Sequence, residues 1–379
     1  MARILFISDN LLNEGLGLMY LSSYVKSKGH ETDLIMLQDY KDFDEVLAVV
    51  NSYDPSLVGF SLMTPQESVF LPITEKIKEQ TNKTVVWGGP HCVFMSERIM
   101  KHDCVDVICI GDGEEALLEL MDRIDEGQDY TDVPSLYVKN GASWVKNPLG
   151  HLHGDLDKYP FPDRGLYYDK YPLLANFPLK RLITSRGCPY KCSYCFEPTY
   201  LAMYKGKGKV VRRHSVEYVL SEIKQITQKY PTNHLHFSDD IFNLNKRWIQ
   251  EFTDQYKTDV GEQLKWTCNV ELTTIDENVV RSMAQSGCRG VTFGLETGVE
   301  ETRIKVLNKK ITNKRYEEVA KLFHKYDIKF LMNIMFGLPG ESFSHAVESV
   351  RFATSLQSYG IRPCMLKVYK GTELAKYVR

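Results

Sequence analysis

No stretch of this 379-residue chain is apolar over anything near the ~20 residues that a membrane-spanning helix requires. The short apolar run after Met1-Ala2-Arg3 ends at Ser8 and Asp9, too soon for a signal-peptide core, and reads as a first strand. The sequence also lacks an excess of either charge. Lys and Arg number 47 against 49 Asp and Glu, a net charge of -2, so no basic face favours a nucleic-acid partner. The one dense basic run, Lys205 to Lys209 with Arg212 and Arg213, reads as a solvated loop. The nine cysteines are an odd number and scattered, which argues against a disulfide framework and points to a reducing, cytoplasmic compartment. A dinucleotide fingerprint is missing as well. Gly15-Leu16-Gly17 opens a helix, but Tyr20 stands where the third glycine would be, and no Walker sequence occurs.

What is present is strand–helix alternation, twice over. In the first half, strands are predicted at Arg3–Ser8, Thr32–Leu37, Leu57–Met63, Thr84–Gly88 and Val105–Ile110. Helices fall at Gly15–Lys28, Phe43–Tyr53, Glu67–Gln80 and Glu114–Ile124. This is the pattern of a doubly wound, Rossmann-like parallel sheet, which binds ligands beyond the carboxyl ends of its strands. Those ends carry Ser61-Leu62-Met63-Thr64, Gly88-Gly89-Pro90-His91 and Gly111-Asp112-Gly113-Glu114. Three such turns at one sheet edge, two of them with glycines that let backbone approach a ligand, favour a binding site over three unrelated turns. Residues 139–180, rich in Pro, Gly and Tyr, read as a linker that packs between domains 1–138 and 181–379.

The second half predicts strands at Arg181–Ser185, His234–Ser238, Lys265–Val270, Gly290–Leu295, Lys329–Phe336 and Arg362–Tyr369, with helices between them. That is a partial (β/α)6 TIM-type barrel, since eight units would need ~250 residues. At the end of its first strand stands Gly187-Cys188-Pro189-Tyr190-Lys191-Cys192-Ser193-Tyr194-Cys195. Three thiolates in one loop can ligate three irons of a cubane cluster and leave the fourth open. Structural zinc would ask for a fourth ligand at paired spacing, and no second pair follows nearby. His234 and His236 alternate on one strand and are expected to face a packed interior rather than a metal.

The C-x3-C-x2-C segment with an aromatic before its last cysteine resembles the radical SAM superfamily motif. The resemblance implies a [4Fe–4S] cluster on Cys188, Cys192 and Cys195 whose open iron chelates S-adenosylmethionine (SAM). An electron from the cluster then cleaves SAM to methionine and a 5′-deoxyadenosyl radical. Further segments resemble the family in the same order: Phe237-Ser238-Asp239-Asp240, Gly294-Leu295-Glu296-Thr297-Gly298 and Asn333 through Gly337 to Glu341. They assign Tyr194, Phe196, Asp239, Asp240, Glu296, Asn333 and Gly337 to SAM. Asp239 and Asp240 are the expected acceptors for its amino group, although either also suits a turn or helix cap.

The first half, with Tyr159-Pro160-Phe161-Pro162-Asp163-Arg164, is similar to the cobalamin-binding domain fused to one branch of that superfamily. The similarity assigns Leu16, Gly17, Ser61, Leu62, Met63, Thr64, Gly88, Gly89, Pro90, His91, Gly111, Gly113 and Glu114 to cobalamin. The D-x-H-x-x-G signature of a cobalt-ligating histidine is absent, so His91 reads as a loop histidine beside the cofactor. A second departure is Lys370-Gly371-Thr372, where the family has Pro-Gly-Thr. The expectation is a cobalamin-dependent methyltransferase acting on an unactivated carbon or phosphorus of a small molecule, with flavodoxin or ferredoxin as electron donor. The alternatives are an oxidative cyclase or rearrangement enzyme using the same radical, and a non-catalytic cobalamin or cluster sensor.

Overall fold

A computed structural model describes residues 1–9 and 14–377. Contacts divide the chain into two units. The first comprises Met1–His153, Lys158–Ala175 and Met203–Gly208. Its strands are β1 (Arg3–Ser8), β2 (Glu31–Met36), β3 (Leu57–Ser61), β4 (Thr84–Gly88) and β5 (Val107–Cys109). All five are parallel, in the spatial order β2-β1-β3-β4-β5. Near-continuous apolar runs such as Ile4-Leu5-Phe6-Ile7 are what a strand covered on both faces requires, and all four residues are buried. Between the strands run α1 (Leu16–Ser27), α2 (Phe43–Tyr53), α3 (Glu67–Gln80) and α4 (Pro90–Ile99), and α5 (Glu114–Asp125) follows β5. The strand order reverses between β1 and β3, which opens a crevice at their carboxyl ends.

Two elements depart from the sequence expectation. Helix α4 has Pro90 at its first position, where the missing N–H costs nothing, and Gly89 as its left-handed entry. A hairpin of β6 (Leu136–Asn140) and β7 (Ser143–Lys146) turns through Gly141 and extends the sheet antiparallel to β5. Part of the stretch read as a linker is therefore sheet. Asp163 lies against α1: its N–H donates to Met19 O at 3.0 Å, and its carboxylate accepts from Ser22 Oγ at 2.6 Å and Lys26 Nζ at 2.7 Å. Short helices α6 (Gly165–Tyr168) and α7 (Pro172–Asn176) follow.

The second unit comprises Gly154–Asp157, Asn176–Ala202 and Lys209–Arg379. Strand β8 (Leu179–Leu182) leads to β9 (Ser185–Arg186), the cysteine loop, α8 (Glu197–Met203) and β10 (Arg212–Arg213), which pairs with β9. The remainder alternates as α9 (Val216–Lys229), β11 (His234–Phe237), α10 (Lys246–Asp259), β12 (Lys265–Asn269), α11 (Glu277–Gln285) and β13 (Cys288–Glu296). Then come α12 (Glu300–Lys305), α13 (Asn313–Lys325), β14 (Lys329–Phe336), α14 (Phe343–Ser355) and β15 (Gly360–Met365). The six strands β8, β11, β12, β13, β14 and β15 stand side by side in chain order, all parallel. The order leaves β8 and β15 as edges, so the barrel is partial.

Strand alternation decides its two faces. Leu235 and Phe237 turn outward onto a core with Phe242, Phe252 and Trp266, while His236 faces the barrel interior. Side-chain caps from Ser215, Asn245, Asp276, Thr312 and Ser342 start five of the helices, each contributing about 1 kcal/mol.

Candidate active site

The cysteine loop begins where Gly187, at φ 83°, turns the chain out of β9. A Cβ there would stand 2.8 Å from Val210 O, so only glycine fits. Buried Glu197 then fixes the loop by accepting the Cys188 N–H at 2.8 Å. Ser193 anchors the middle: its N–H donates to Leu307 O at 3.0 Å, its hydroxyl to Val306 O at 2.6 Å, and its carbonyl accepts from Leu374 N at 2.8 Å. Cys188, Cys192 and Cys195 are free and partly exposed on this braced loop. Burial raises the Cys188 thiol to about 12 and Cys195 to about 11, and it raises Cys192 against the pull of Lys309. Binding a metal must therefore displace these protons.

Among the described residues, no three His, Cys, Asp or Glu gather tightly enough for a single metal ion. A cubane distributes its thiolates over separate irons, and three loop cysteines are a donor set of that kind.

Glu296 faces the loop from the end of β13. A bulge between Gly294 and Glu296 and a left-handed φ of 66° re-aim its side chain. The Tyr194 hydroxyl donates to Glu296 Oε1 at 2.7 Å, and Lys309 Nζ lies 3.0 Å from the same oxygen. Lys309 also donates to Gly294 O at 2.6 Å. Burial opposes its charge, but Glu296, Tyr316 and Cys192 outweigh that, and the ammonium is held above its ordinary range. Nothing in the sequence marks Lys309, since Asn308-Lys309-Lys310 looks like solvated charge.

Asp239 corrects an expectation. It is buried, and its carboxylate accepts from Thr184 N at 3.1 Å, from Thr184 Oγ1 at 2.7 Å and from the Ser185 hydroxyl. It braces the strand that launches the cysteine loop and is not presented to an amine. Asp240 is exposed yet crowded by protein. That desolvation and Asp239 raise its carboxyl, against a hydrogen bond from the Gly187 backbone. The basic run is a second correction at its end. Arg212 is buried, and Arg213 stacks on Trp248 at 4.5 Å and donates to Thr184 Oγ1 and Phe242 O.

Two polar atoms fit a bound polar cofactor. Ser238 Oγ, just past β11, and Asn333 Oδ1, on β14, are buried without a hydrogen-bond partner. Each such orphan costs about 1–3 kcal/mol unless a ligand satisfies it. Gly337 takes φ 81°, and its N–H is held by Glu341 at 2.6 Å. Phe196 is 36% exposed beside the last cysteine.

In the first unit, the loops after β3 and β4 are tied together. Leu62 N–H donates to Gly88 O at 2.9 Å, and His91 N–H donates to Leu62 O at 3.0 Å. Gly89 has φ 92°, and a Cβ there would stand 2.8 Å from Leu62 N, so two backbones meet where only glycine fits. Gln66 donates to Asp9 at 2.6 Å and accepts from Met63 N at 2.7 Å, drawing in the end of β1. Above this floor Gly17, Ser61, Met63 and Pro90 are exposed, with Thr64, Gly88, Gly111 and Gly113 at intermediate depth. Gly111 receives the Tyr204 hydroxyl, which accepts the Asp112 N–H at 3.1 Å. These strand ends present exposed backbone, with Met63 as an exposed apolar side chain among them.

Leu16, Leu62, His91 and Glu114 turn their side chains inward. His91 in particular is no loop residue. It is fully buried in α4, with Nδ1 3.3 Å from Thr64 Oγ1 and Nε2 3.1 Å from buried Glu67, so its imidazole is closed to a cobalt ion.

A partial parallel barrel with three cysteines at its mouth, joined to a doubly wound sheet with glycines at its strand ends, defines a two-cofactor class of protein. Comparison with known families gives that class its name. Residues 182–353 match the radical SAM superfamily and residues 3–121 the B12 binding domain. The chain thus carries a B12-binding domain followed by a radical SAM domain.

It is 29% identical to an uncharacterized methyltransferase of Pyrococcus horikoshii, over 96% of this chain and 78% of that protein. It is 25% identical to an anaerobic magnesium-protoporphyrin IX monomethyl ester cyclase of Rubrivivax gelatinosus, over 93% of this chain but 65% of that enzyme's length. The fold matches the radical SAM methyltransferase TsrM of Kitasatospora setae, with tryptophan and a SAM analogue bound, at a TM-score of 0.82. That match covers 99% of this chain and 75% of that one at 21% identity.

Proposed function

We propose that this protein is a cobalamin-dependent radical SAM methyltransferase acting on a small molecule at an unactivated carbon or phosphorus. The observation that carries the reading is the meeting of the braced cysteine loop with Glu296 through Tyr194. When bound, the [4Fe–4S] cluster supplies the electron that cleaves SAM, and cobalamin supplies the methyl carrier.

The chain's own residues then have distinct tasks. Cys188, Cys192 and Cys195 hold three irons. Asp240 and Glu296 accept from the cationic amine and the ribose of SAM. Asn333 Oδ1 and Ser238 Oγ take the hydrogen bonds they lack within the protein. Phe196 and the Gly337 turn border the SAM pocket. Residues 1–138 serve cobalamin through the Gly88-Gly89 and Gly111 backbone and through Ser61, Met63 and Thr64, and residues 181–379 serve SAM. A flavodoxin or ferredoxin in the cytoplasm delivers the electron.

Methyl transfer is preferred over cyclisation because the Pyrococcus protein named a methyltransferase matches at higher identity and over more of its own length than the cyclase. The test needs no substrate. The chain is reconstituted anaerobically with iron, sulfide and hydroxocobalamin, reduced with titanium citrate and given methyl-labelled SAM. The proposal expects label on the cobalamin and S-adenosylhomocysteine in step with cobalt. Reductive SAM cleavage without methyl transfer to cobalamin would support the cyclase or rearrangement reading.

A further inference from the structure

The cysteine loop leaves the carboxyl ends of the barrel strands. At their opposite, amino-terminal ends lies a cavity of about 480 Å3, within the ~300–1,000 Å3 range of small-molecule sites. It touches both edge strands, β8 and β15, and so spans the gap where the barrel does not close. The strand register explains the hollow. Arg181, His236 and Thr267 are neighbours on β8, β11 and β12, and the next position in that layer is Gly290 on β13. Gly290 brings no side chain, and a Cβ there would already stand 3.3 Å from Thr267 Cγ2.

The charge around this cavity has one sign. Arg181, Arg289, Lys329 and Arg362 line it, and its described lining includes no Asp or Glu. Asp327, outside the lining, pairs with Lys329 at 2.9 Å and also acts on Arg289, so the rim is partly balanced. His236 does not add to the charge. Its Nδ1 lies 3.0 Å from Thr267 Oγ1, and burial, with Arg181, His234 and Arg362 near it, lowers its pKa to about 4 against a weaker pull from Asp239. Leu179, Leu331 and Tyr359 supply the apolar part of the wall. Guanidinium groups beside apolar walls offer an organic anion charge-assisted hydrogen bonds for its head and contact for its body.

We propose that this cavity is a binding site for an organic anion, a carboxylate or phosphate carried on an apolar body. The anion sits between Arg181 and Arg362, and the body lies against Leu331 and Tyr359. The site is built without the cysteine loop and its occupancy does not depend on a cluster.

Calorimetric titration of the full chain with phenyl phosphate tests this, with phenol and inorganic phosphate as the two halves of the probe. The expected result is saturable binding of phenyl phosphate, at least about tenfold tighter than either half. Arg362→Gln, on an exposed edge-strand position, is expected to weaken it about tenfold with an unchanged circular dichroism spectrum. Lys224→Gln, on α9 away from the cavity, is expected to leave it unchanged. No saturable binding, equal weakening by both variants, or inorganic phosphate binding as tightly as phenyl phosphate would each overturn the proposal.

Discussion

The Tyr194 hydroxyl, on the cysteine loop, donates to Glu296 Oε1 at the end of β13 across 2.7 Å. One hydrogen bond thus joins the cluster loop to the strand end assigned to SAM. Lys309, largely shielded from water beside the same oxygen, makes the junction a charged pair. Tyr194→Phe removes the bond and leaves the ring. The expected outcome is full iron content with SAM affinity reduced about five- to tenfold, from the ~1 kcal/mol of one hydrogen bond, read by equilibrium binding of SAM.

Glu296→Ala asks a harder question of the same junction. It leaves Lys309, largely shielded from water, with only the Gly294 carbonyl, a loss of up to about 3 kcal/mol. A lowered unfolding midpoint in urea is therefore expected. The double variant Glu296→Ala with Lys309→Met should recover much of that loss while SAM binding stays impaired.

Asp239 and Asp240 are adjacent in sequence and separate in role. Asp239→Ala removes three internal hydrogen bonds and should cost about 3 kcal/mol of stability. Asp240→Asn should change stability by less than about 0.5 kcal/mol and weaken SAM binding. Denaturant titration beside a SAM-binding curve separates them. The sequence places both acids at one strand end and offers no means of telling them apart. Thr184 and Ser185, which claim Asp239, lie 55 and 54 residues away in the chain.

That contrast marks what a single sequence exposes. Cys188, Cys192 and Cys195 share one loop, so their chemistry is readable from spacing alone. The six barrel strands are readable because alternation such as Leu235-His236-Phe237 records two different faces. Tyr204 is not readable because its partner Asp112 lies 92 residues away, and Lys309 and Glu197 are not because they reach back 13 and 9 residues across turns that no periodicity records. Helix α4 is hidden in the sequence because Gly89-Pro90 reads as a turn, and the β6–β7 hairpin because its Asn140-Gly141 signal falls within a Pro-, Gly- and Tyr-rich stretch. His91 misleads because burial, which sequence does not show, decides its role.

His236 gives the barrel a pH dependence of defined sign. Its folded pKa is near 4, below the ordinary 6.5. The unfolded chain therefore takes up the proton first, and stability falls as pH drops from about 6.5 to about 4, by at most about 3 kcal/mol for this residue. His236→Gln should flatten that part of the curve in urea unfolding followed across pH. The slope persists in part, because burial lowers His91, His214 and His234 too.

Gly89→Ala tests the strand ends of the first unit. A Cβ against the Leu62 backbone at a left-handed φ should cost more than about 1 kcal/mol. After reconstitution with both cofactors, cobalt retention should fall while iron per chain is unchanged.

The most direct measurement is iron per chain, with anaerobic SAM cleavage, for the reconstituted protein and for Cys188→Ala, Cys192→Ala and Cys195→Ala. The account expects about four irons in the parent chain, a Mössbauer spectrum of a [4Fe–4S] cluster, and 5′-deoxyadenosine on reduction. Each variant should lose both the cluster and the cleavage. A parent chain that binds no iron, or a variant that still cleaves SAM reductively, would contradict it.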